Sequence, residues 1–256
     1  MKILVCLKQV PAKDAPLKLD ASGTWIREDV SFETNEPDAY ALEAALRLKE
    51  AHGGEVVALT VGPARAAQVL REALAKGADR AVHVESEEAQ YLDSYAAAEA
   101  IARAIPGEPY DLIFTGLQSD DYGFAQVGVI LAELLGTPHA TIIMQIEPRE
   151  GGIRVKRELE NGHFQFVEMP TPAVLTIQSG INKLRYATLM GIKQAKNKPL
   201  ARVSLADLGV TPSLNRQKIE KLYIPSRSKQ TQMIAGSAKE AAARLVEQLK
   251  NDARVL

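Results

Sequence analysis

The segment from Asp111 to Gly136 constrains this chain more than any other. Asp111 to Thr115 is a short apolar run of strand length, and the polar stretch after it holds Gly116 and Gly123. Val127, Ile130, Leu131, Leu134 and Leu135 then recur at helical spacing up to Gly136. Strand, polar turn and helix in that order form a βα unit, and a chain that repeats the unit must build a parallel sheet with helices on its faces.

The repeat is present. Ile3 to Leu7, Glu55 to Val61 and Ala81 to Val84 are three further apolar runs bounded by turn signals, as in strands covered on both faces. Between them lie helices. Asn35 is placed to cap the first, with Pro37 just inside it, Leu42 and Leu46 on its inner face and Gly53 beyond its end. Pro63 opens the second, whose stripe is Val69, Leu70, Ala73 and Leu74 and whose stop is Gly77. Asp93 or Ser94 caps the third, which carries Ala98, Ile101 and Ile105. Asp20-Ala-Ser-Gly23 marks a turn within Leu17 to Arg27, which reads as a small hairpin.

After Pro138 the pattern changes. His139–Glu147, Gly152–Leu159, His163–Met169 and Ala173–Thr176 read as strands, joined in part by the turns Glu150-Gly-Gly152 and Glu160-Asn-Gly162. They predict an antiparallel extension of the same sheet. From Ser179 on the chain is polar and irregular, with Pro199, Pro212 and Pro225. Ser237 then caps a final helix bearing Ala241, Leu245 and Leu249 on one face. A tail this long without its own core packs on something else. The expected division is 1–180, an α/β domain, and 181–256, an arm that packs on a partner.

Composition narrows the function. With 46% hydrophobic and 25% charged residues in 256, the chain can bury a sizeable core. A net charge of -1 argues against nucleic acid as a partner. The single cysteine, Cys6, excludes a disulfide framework or a thiolate metal cluster within one chain. The apolar run at Met1–Val5 breaks at Lys8 without a cleavage site, and no stretch approaches the ~20 apolar residues of a membrane span. A cytoplasmic location is expected.

The βα loop carries the chemistry. Ligands in open α/β sheets sit at the carboxyl ends of strands, where a helix N-terminus offers free N–H groups to a phosphate. Gly123 and Gly128 allow close backbone approach, and Gln126 adds a side-chain donor. Asp120 and Asp121 are suited to capping the helix or to accepting from a ribose or an adenine amine. A plain βα loop with acidic caps is the other reading of these residues. Neither G-x-x-x-x-G-K-[ST] nor G-x-G-x-x-G after a strand is present, so passive holding of a nucleotide is favoured over its hydrolysis. Cys6 to Gln9 and Thr60-Val-Gly62 end neighbouring strands and are placed to join the site, although Cys6 taken alone reads as a small core residue. The four histidines show no ligand spacing, so no metal site is assigned. Trp25 and Tyr40 are expected to pack locally. Arg157 and Glu158 are expected to form cross-strand ion pairs.

Several motifs in one order resemble the β (small) subunit of electron-transfer flavoprotein. They are Lys2-Ile-Leu-Val-Cys-Leu-Lys-Gln-Val10, Asn35-Glu-Pro-Asp38 leading into Ala44–Glu50, Ala75-Lys-Gly-Ala-Asp-Arg-Ala81, and Gly116-Leu-Gln118 through Ala125-Gln-Val-Gly128. Val155-Lys-Arg-Glu158, Pro172-Ala-Val174, Leu184–Leu189 and Ala195–Pro199 follow, so the likeness runs over nearly the whole chain. It implies that 1–180 binds a nucleotide in an adenine-nucleotide α-hydrolase-like α/β fold, and that 181–256 begins with a recognition loop and continues as a C-terminal arm that wraps a larger α subunit. That subunit holds an FAD, shared at the interface, which shuttles electrons from acyl-CoA or other dehydrogenases to a quinone-reducing oxidoreductase or other acceptor. The β subunit of ordinary members holds a structural AMP, bifurcating members hold a second FAD in the same pocket, and neither kind of β chain has catalytic residues. The nucleotide set is then Cys6, Asn35, Asp38, Gly62, Gly116, Asp121 and Gly123, continuing through Phe124, Ala125, Gln126, Val127 and Gly128. Many AMP-binding members have a threonine where this chain has Val127, which removes one phosphate donor. Leu189 matches the family's recognition-loop leucine, which enters a dehydrogenase pocket. From the residues alone, Leu189 reads as a core leucine before a solvated basic helix at Lys193–Lys198 rather than as an exposed anchor. A stand-alone nucleotide-binding module and an adenylating enzyme are the competing functions.

Overall fold

The computed structural model describes residues 1–105, 109–225 and 231–256. Contacts divide it into two units, Met1–Glu220 and Lys221–Leu256.

The first unit runs β1 (Lys2–Cys6), β2 (Gln9–Pro11), β3 (Phe32–Thr34), α1 (Glu36–His52), β4 (Glu55–Gly62), α2 (Ala67–Lys76) and β5 (Arg80–Glu85). It continues with α3 (Ser94–Ala104), β6 (Leu112–Gly116), α4 (Val127–Leu135), β7 (His139–Arg149), β8 (Gly152–Glu158) and β9 (Phe164–Pro170). It ends with β10 (Ala173–Ile177), α5 (Leu189–Ala195) and β11 (Leu200–Ser204). Among the described residues, nine strands form one sheet in the order β11-β5-β4-β1-β6-β10-β7-β8-β9. Every pairing from β11 to β7 is parallel, and only β7–β8–β9 is antiparallel.

Alternation along β1 sets the layers. Ile3, Val5 and Leu7 point to one face with the buried stripes of α1 and α2, while Leu4 and Cys6 point to the other with α3 and α4. Each βα unit thus buries a helix stripe on a sheet face, and stripes and strands lie where the hydrophobic periods predict. Asp93 caps α3, its side chain accepting from Ala96 N–H at 2.8 Å. The hairpin between β2 and β3 contains one bridge, Leu19–Ile26.

Three expectations change. β10 is not part of an antiparallel extension: it inserts between β6 and β7 and runs parallel to both, because its five residues, all buried, need cover on both faces. Among the described residues, Arg157 and Glu158 form no ion pair across the sheet, since their register partners are Ile143, Gln165 and Phe164. Arg157 instead donates to Thr141 Oγ1 at 3.2 Å, and Glu158 accepts from Gln178 Nε2 at 3.0 Å. The stretch after Ser179 is more ordered than its composition suggests. Up to Glu220 it belongs to the first unit, where β11 pairs with β5 and so takes the edge of the sheet.

The second unit contains α6 (Ala238–Asn251), closed at its start by a capping box between Ser237 and Glu240. Leu245 and Val246 of α6 are exposed.

Candidate functional site

The chain passes from β1 outward to β4 and β5, then returns to β6 on the other side of β1. The order therefore reverses between β1 and β6, and the crevice at their carboxyl ends is the expected ligand position. A cavity of about 780 Å³ opens there, a size that suits a nucleotide. Cys6, Asn35, Asp38, Gly62, Gly116, Asp121 and Phe124 through Gly128 all line it. Gly123 does not line it. It shapes the loop from outside, at φ 65°, with its N–H on Ser119 O at 2.8 Å.

The N-terminus of α1 holds the two strand ends together. Asp38 is buried; its Oδ2 accepts Lys8 N–H at 2.7 Å and its Oδ1 accepts Gly116 N–H at 2.8 Å. Burial pushes its carboxyl up to about 7, although both backbone bonds pull it down. Asn35 sits at the N-cap as predicted but makes no capping bond. Its Nδ2 donates to Gln118 O at 2.9 Å and its Oδ1 accepts Asp120 N–H at 2.9 Å. Gly116 is required for space, since a Cβ there would lie 2.4 Å from Asp38 Oδ1. Cys6 forms part of the floor, and burial raises its thiol well above its ordinary range, so it is a packing group and not a nucleophile.

Of the roles open to Asp120 and Asp121, capping of α4 is not the one they take. Gln126 is its N-cap residue and makes no side-chain capping bond. Asp121 is instead held by Lys8 Nζ at 2.7 Å, and Asp120 accepts Glu36 N–H at 3.3 Å at the start of α1. The first turn of α4 is therefore left without a side-chain acceptor at the cavity, as an anion cradle requires. Gly128 lets that turn sit close to the sheet: a Cβ would meet Thr115 Oγ1 and Thr176 Cγ2, both at 2.6 Å. Ala125 adopts φ 55°, a conformation rare for a residue with a Cβ, so surrounding bonds must fix the loop.

Part of the lining was not legible as a site. Trp25 packs on Tyr122 with ring centroids 5.2 Å apart, and Tyr122 stacks on Phe124 at 5.5 Å, so Trp25 does not pack locally as expected. Lys8 Nζ lies 4.5 Å above the Tyr122 ring. Among the described residues, Gln9 Oε1, Trp25 Nε1, Arg65 Nε and Gln90 Oε1 are buried without hydrogen-bond partners, and all four residues line this cavity. Buried polar atoms are rarely left unpaired, so this lining fits a ligand carrying both donors and acceptors. A segment from Asn215 to Ile219 borders the cavity too: Asp93 Oδ2 accepts Gln217 N–H at 2.8 Å, and Gln217 Nε2 reaches Gln126 Oε1 at 3.4 Å. The only advance signal for these residues was position, since Lys8 and Gln9 directly follow a strand end.

Leu189 lies away from this cavity, at the first position of α5, and is 88% exposed, so it is not a core leucine.

Residues 23–208 match the electron transfer flavoprotein domain family model. The chain is 40% identical to the electron transfer flavoprotein subunit beta of Methylophilus methylotrophus, over 96% of this chain and 97% of that protein. It is 35% identical to the caffeyl-CoA reductase-Etf complex subunit CarD of Acetobacterium woodii, over 98% of each. It is also 35% identical to the acryloyl-CoA reductase electron transfer subunit gamma of Anaerotignum propionicum, over 97% of this chain and 98% of that one.

Proposed function

The chain belongs to the electron transfer flavoprotein family, in its β-subunit branch, and from that premise we propose that it is the passive subunit of an αβ electron carrier. It holds AMP as a structural ligand in the cavity between β1 and β6. FAD carried by the α subunit and shared at the interface takes electrons from acyl-CoA or other dehydrogenases and delivers them to a quinone-reducing oxidoreductase or another acceptor. The chain itself supplies no catalytic residue. Its role is to bind, orient and dock.

The observation that carries this reading is the uncapped first turn of α4, facing a cavity whose floor is fixed by Asp38 and Asn35. Backbone N–H groups of that turn would hold the phosphate, and the loss of a threonine at Val127 leaves them in place. Residues 221–256 are assigned to the α subunit as a wrapping arm, in keeping with the exposed Leu245 and Val246 of α6. Leu189 is assigned to dehydrogenase docking as an apolar anchor with Lys193 and Lys196 nearby in sequence. Among the described residues, no helix is long and apolar enough to cross a membrane, and we place the carrier in the cytoplasm.

A second reading, FAD in place of AMP, is favoured by the unpartnered polar atoms of Gln9, Trp25, Arg65 and Gln90, which line the cavity in addition to the loop residues. Two of the relatives carry names of CoA-reductase systems, which fits the same reading. The deciding experiment is to purify the αβ complex, denature it and quantify what is released. One FAD with one AMP per αβ supports the first reading, and two FAD with no AMP the second. A complex that releases no flavin ends both.

A further inference from the structure

The segment that carries Leu189 is fixed at both ends. On its upstream side, Glu43, Arg47 and Glu50 of α1 stand at helical spacing toward residues 183–185. Glu43 is 4% exposed at its side chain and accepts Arg185 Nε at 2.7 Å, Arg185 Nη2 at 3.2 Å and the Arg185 backbone N–H at 3.3 Å. Arg185 also clasps Glu50, with bonds of 2.5 and 3.0 Å. Arg47 donates to Glu43 at 2.7 Å and to the Lys183 carbonyl at 2.9 Å. One buried carboxylate thus joins the helix to both the side chain and the backbone of the segment, with the planar two-bond geometry that fixes a guanidinium.

The downstream side is fixed by packing. A Cβ on Gly191 would lie 2.2 Å from the Ala75 carbonyl oxygen, so only glycine lets α5 rest on the end of α2. Thr188 caps α5 by accepting Gly191 N–H at 3.0 Å. Lys198 Nζ donates to the carbonyls of Leu74 and Ala78 at 2.9 and 2.6 Å.

Between these two fixed points Tyr186 is 94% exposed and Leu189 88%, with Met190 and Ile192 exposed beside them. Apolar side chains on a slack loop would lose conformational freedom on contact with a partner. Held on a rigid frame, they lose little, and affinity rises without any new contact. We propose that Glu43 and Gly191 are positioning residues for dehydrogenase docking: Glu43 through Arg185, and Gly191 through its contact with Ala75, hold the apolar knob of Tyr186 and Leu189 in its binding pose. This rests on the reading that Leu189 docks dehydrogenases, and it adds two residues, neither of which belongs to the knob itself.

The test uses the assembled αβ complex and an acyl-CoA dehydrogenase that reduces the wild-type complex. Initial rates against αβ concentration give KM and kcat, and amide exchange is followed over residues 184–192. Glu43→Gln and Gly191→Ala should each raise KM about fivefold by slackening the frame, with kcat and nucleotide content unchanged and exchange faster. Glu43→Asp should fall between wild type and Glu43→Gln. Glu50→Gln, a change at an exposed position, should give a smaller rise and guards against a misfolded Glu43 variant. The proposal is overturned if Leu189→Ala raises KM while the frame variants, with faster exchange, leave it unchanged. If Leu189→Ala itself leaves KM unchanged, the docking reading fails and the positioning role fails with it.

Discussion

Asp38 and Gly116 are 78 positions apart, and the carboxylate of the first accepts the N–H of the second at 2.8 Å on the floor of the cavity. The bond joins the start of α1 to the end of β6, and through Lys8 N–H also to the end of β1. The proposed nucleotide site is therefore set by one buried acid at the point where the sheet order reverses.

The ionisation of Asp38 should be visible in stability. Burial raises its carboxyl from 3.8 to about 7, so the fold prefers its neutral form. Its contribution to stability is greatest below 3.8, declines as pH rises towards 7, and is flat above that. Asp38→Asn should flatten the difference in urea midpoint between pH 4.5 and pH 8, measured on the αβ complex with other groups cancelling in the comparison. It should also cost about 1–3 kcal/mol, because the amide N–H₂ faces one backbone donor. Equal slopes for variant and wild type would show that Asp38 does not titrate in this window.

Asn35 separates a helix cap from a loop clamp. Aspartate caps helices as well as asparagine does, so a capping role predicts no loss in Asn35→Asp. In the clamp seen here, the new carboxylate oxygen faces the Gln118 carbonyl that Nδ2 now serves. We expect a loss of about 1–3 kcal/mol in thermal unfolding and weaker nucleotide retention. An unchanged melting temperature would restore the cap.

Gly128→Ala tests the seat of α4. The added methyl meets Thr115 and Thr176 at 2.6 Å, so the first turn must lift from the sheet. The expected cost is about 1–3 kcal/mol, with loss of the nucleotide released on denaturation. Retention of a full complement of nucleotide would place the phosphate elsewhere.

Lys8 neutralises Asp121 inside the cavity, at 2.7 Å. Lys8→Met should leave that carboxylate without its cation in the proposed nucleotide cavity and weaken AMP binding about tenfold. Adding Asp121→Asn should recover part of the loss, since it removes the unpaired charge. Additive losses in the double variant would mean that the two residues act independently.

The parallel core was legible because its signals are local. The strand runs at Ile3, Glu55 and Asp111, the stripes of α1 to α4, and the stops at Gly77 and Gly136 each follow from neighbours in sequence. What escaped was non-local. β11 has a modest apolar content and becomes a strand because β5 presents a free edge. The parallel direction of β10 depends on which strands flank it. Trp25 and Tyr122, which meet in the folded chain, are far apart in sequence.

By itself, the sequence determined that this chain builds a helix-covered parallel sheet and that the loop ending in Gly128 lies at a strand's carboxyl end, because hydrophobic period and turn chemistry act over a few residues. Tertiary structure decided what that loop became. Asp120 and Asp121 were available as caps for α4. Folding instead brought Lys8 to Asp121 and the start of α1 to Asp120, which left the first turn of α4 facing the cavity. A carboxylate goes to whichever donor lies closest in space, and only the closed sheet places those donors.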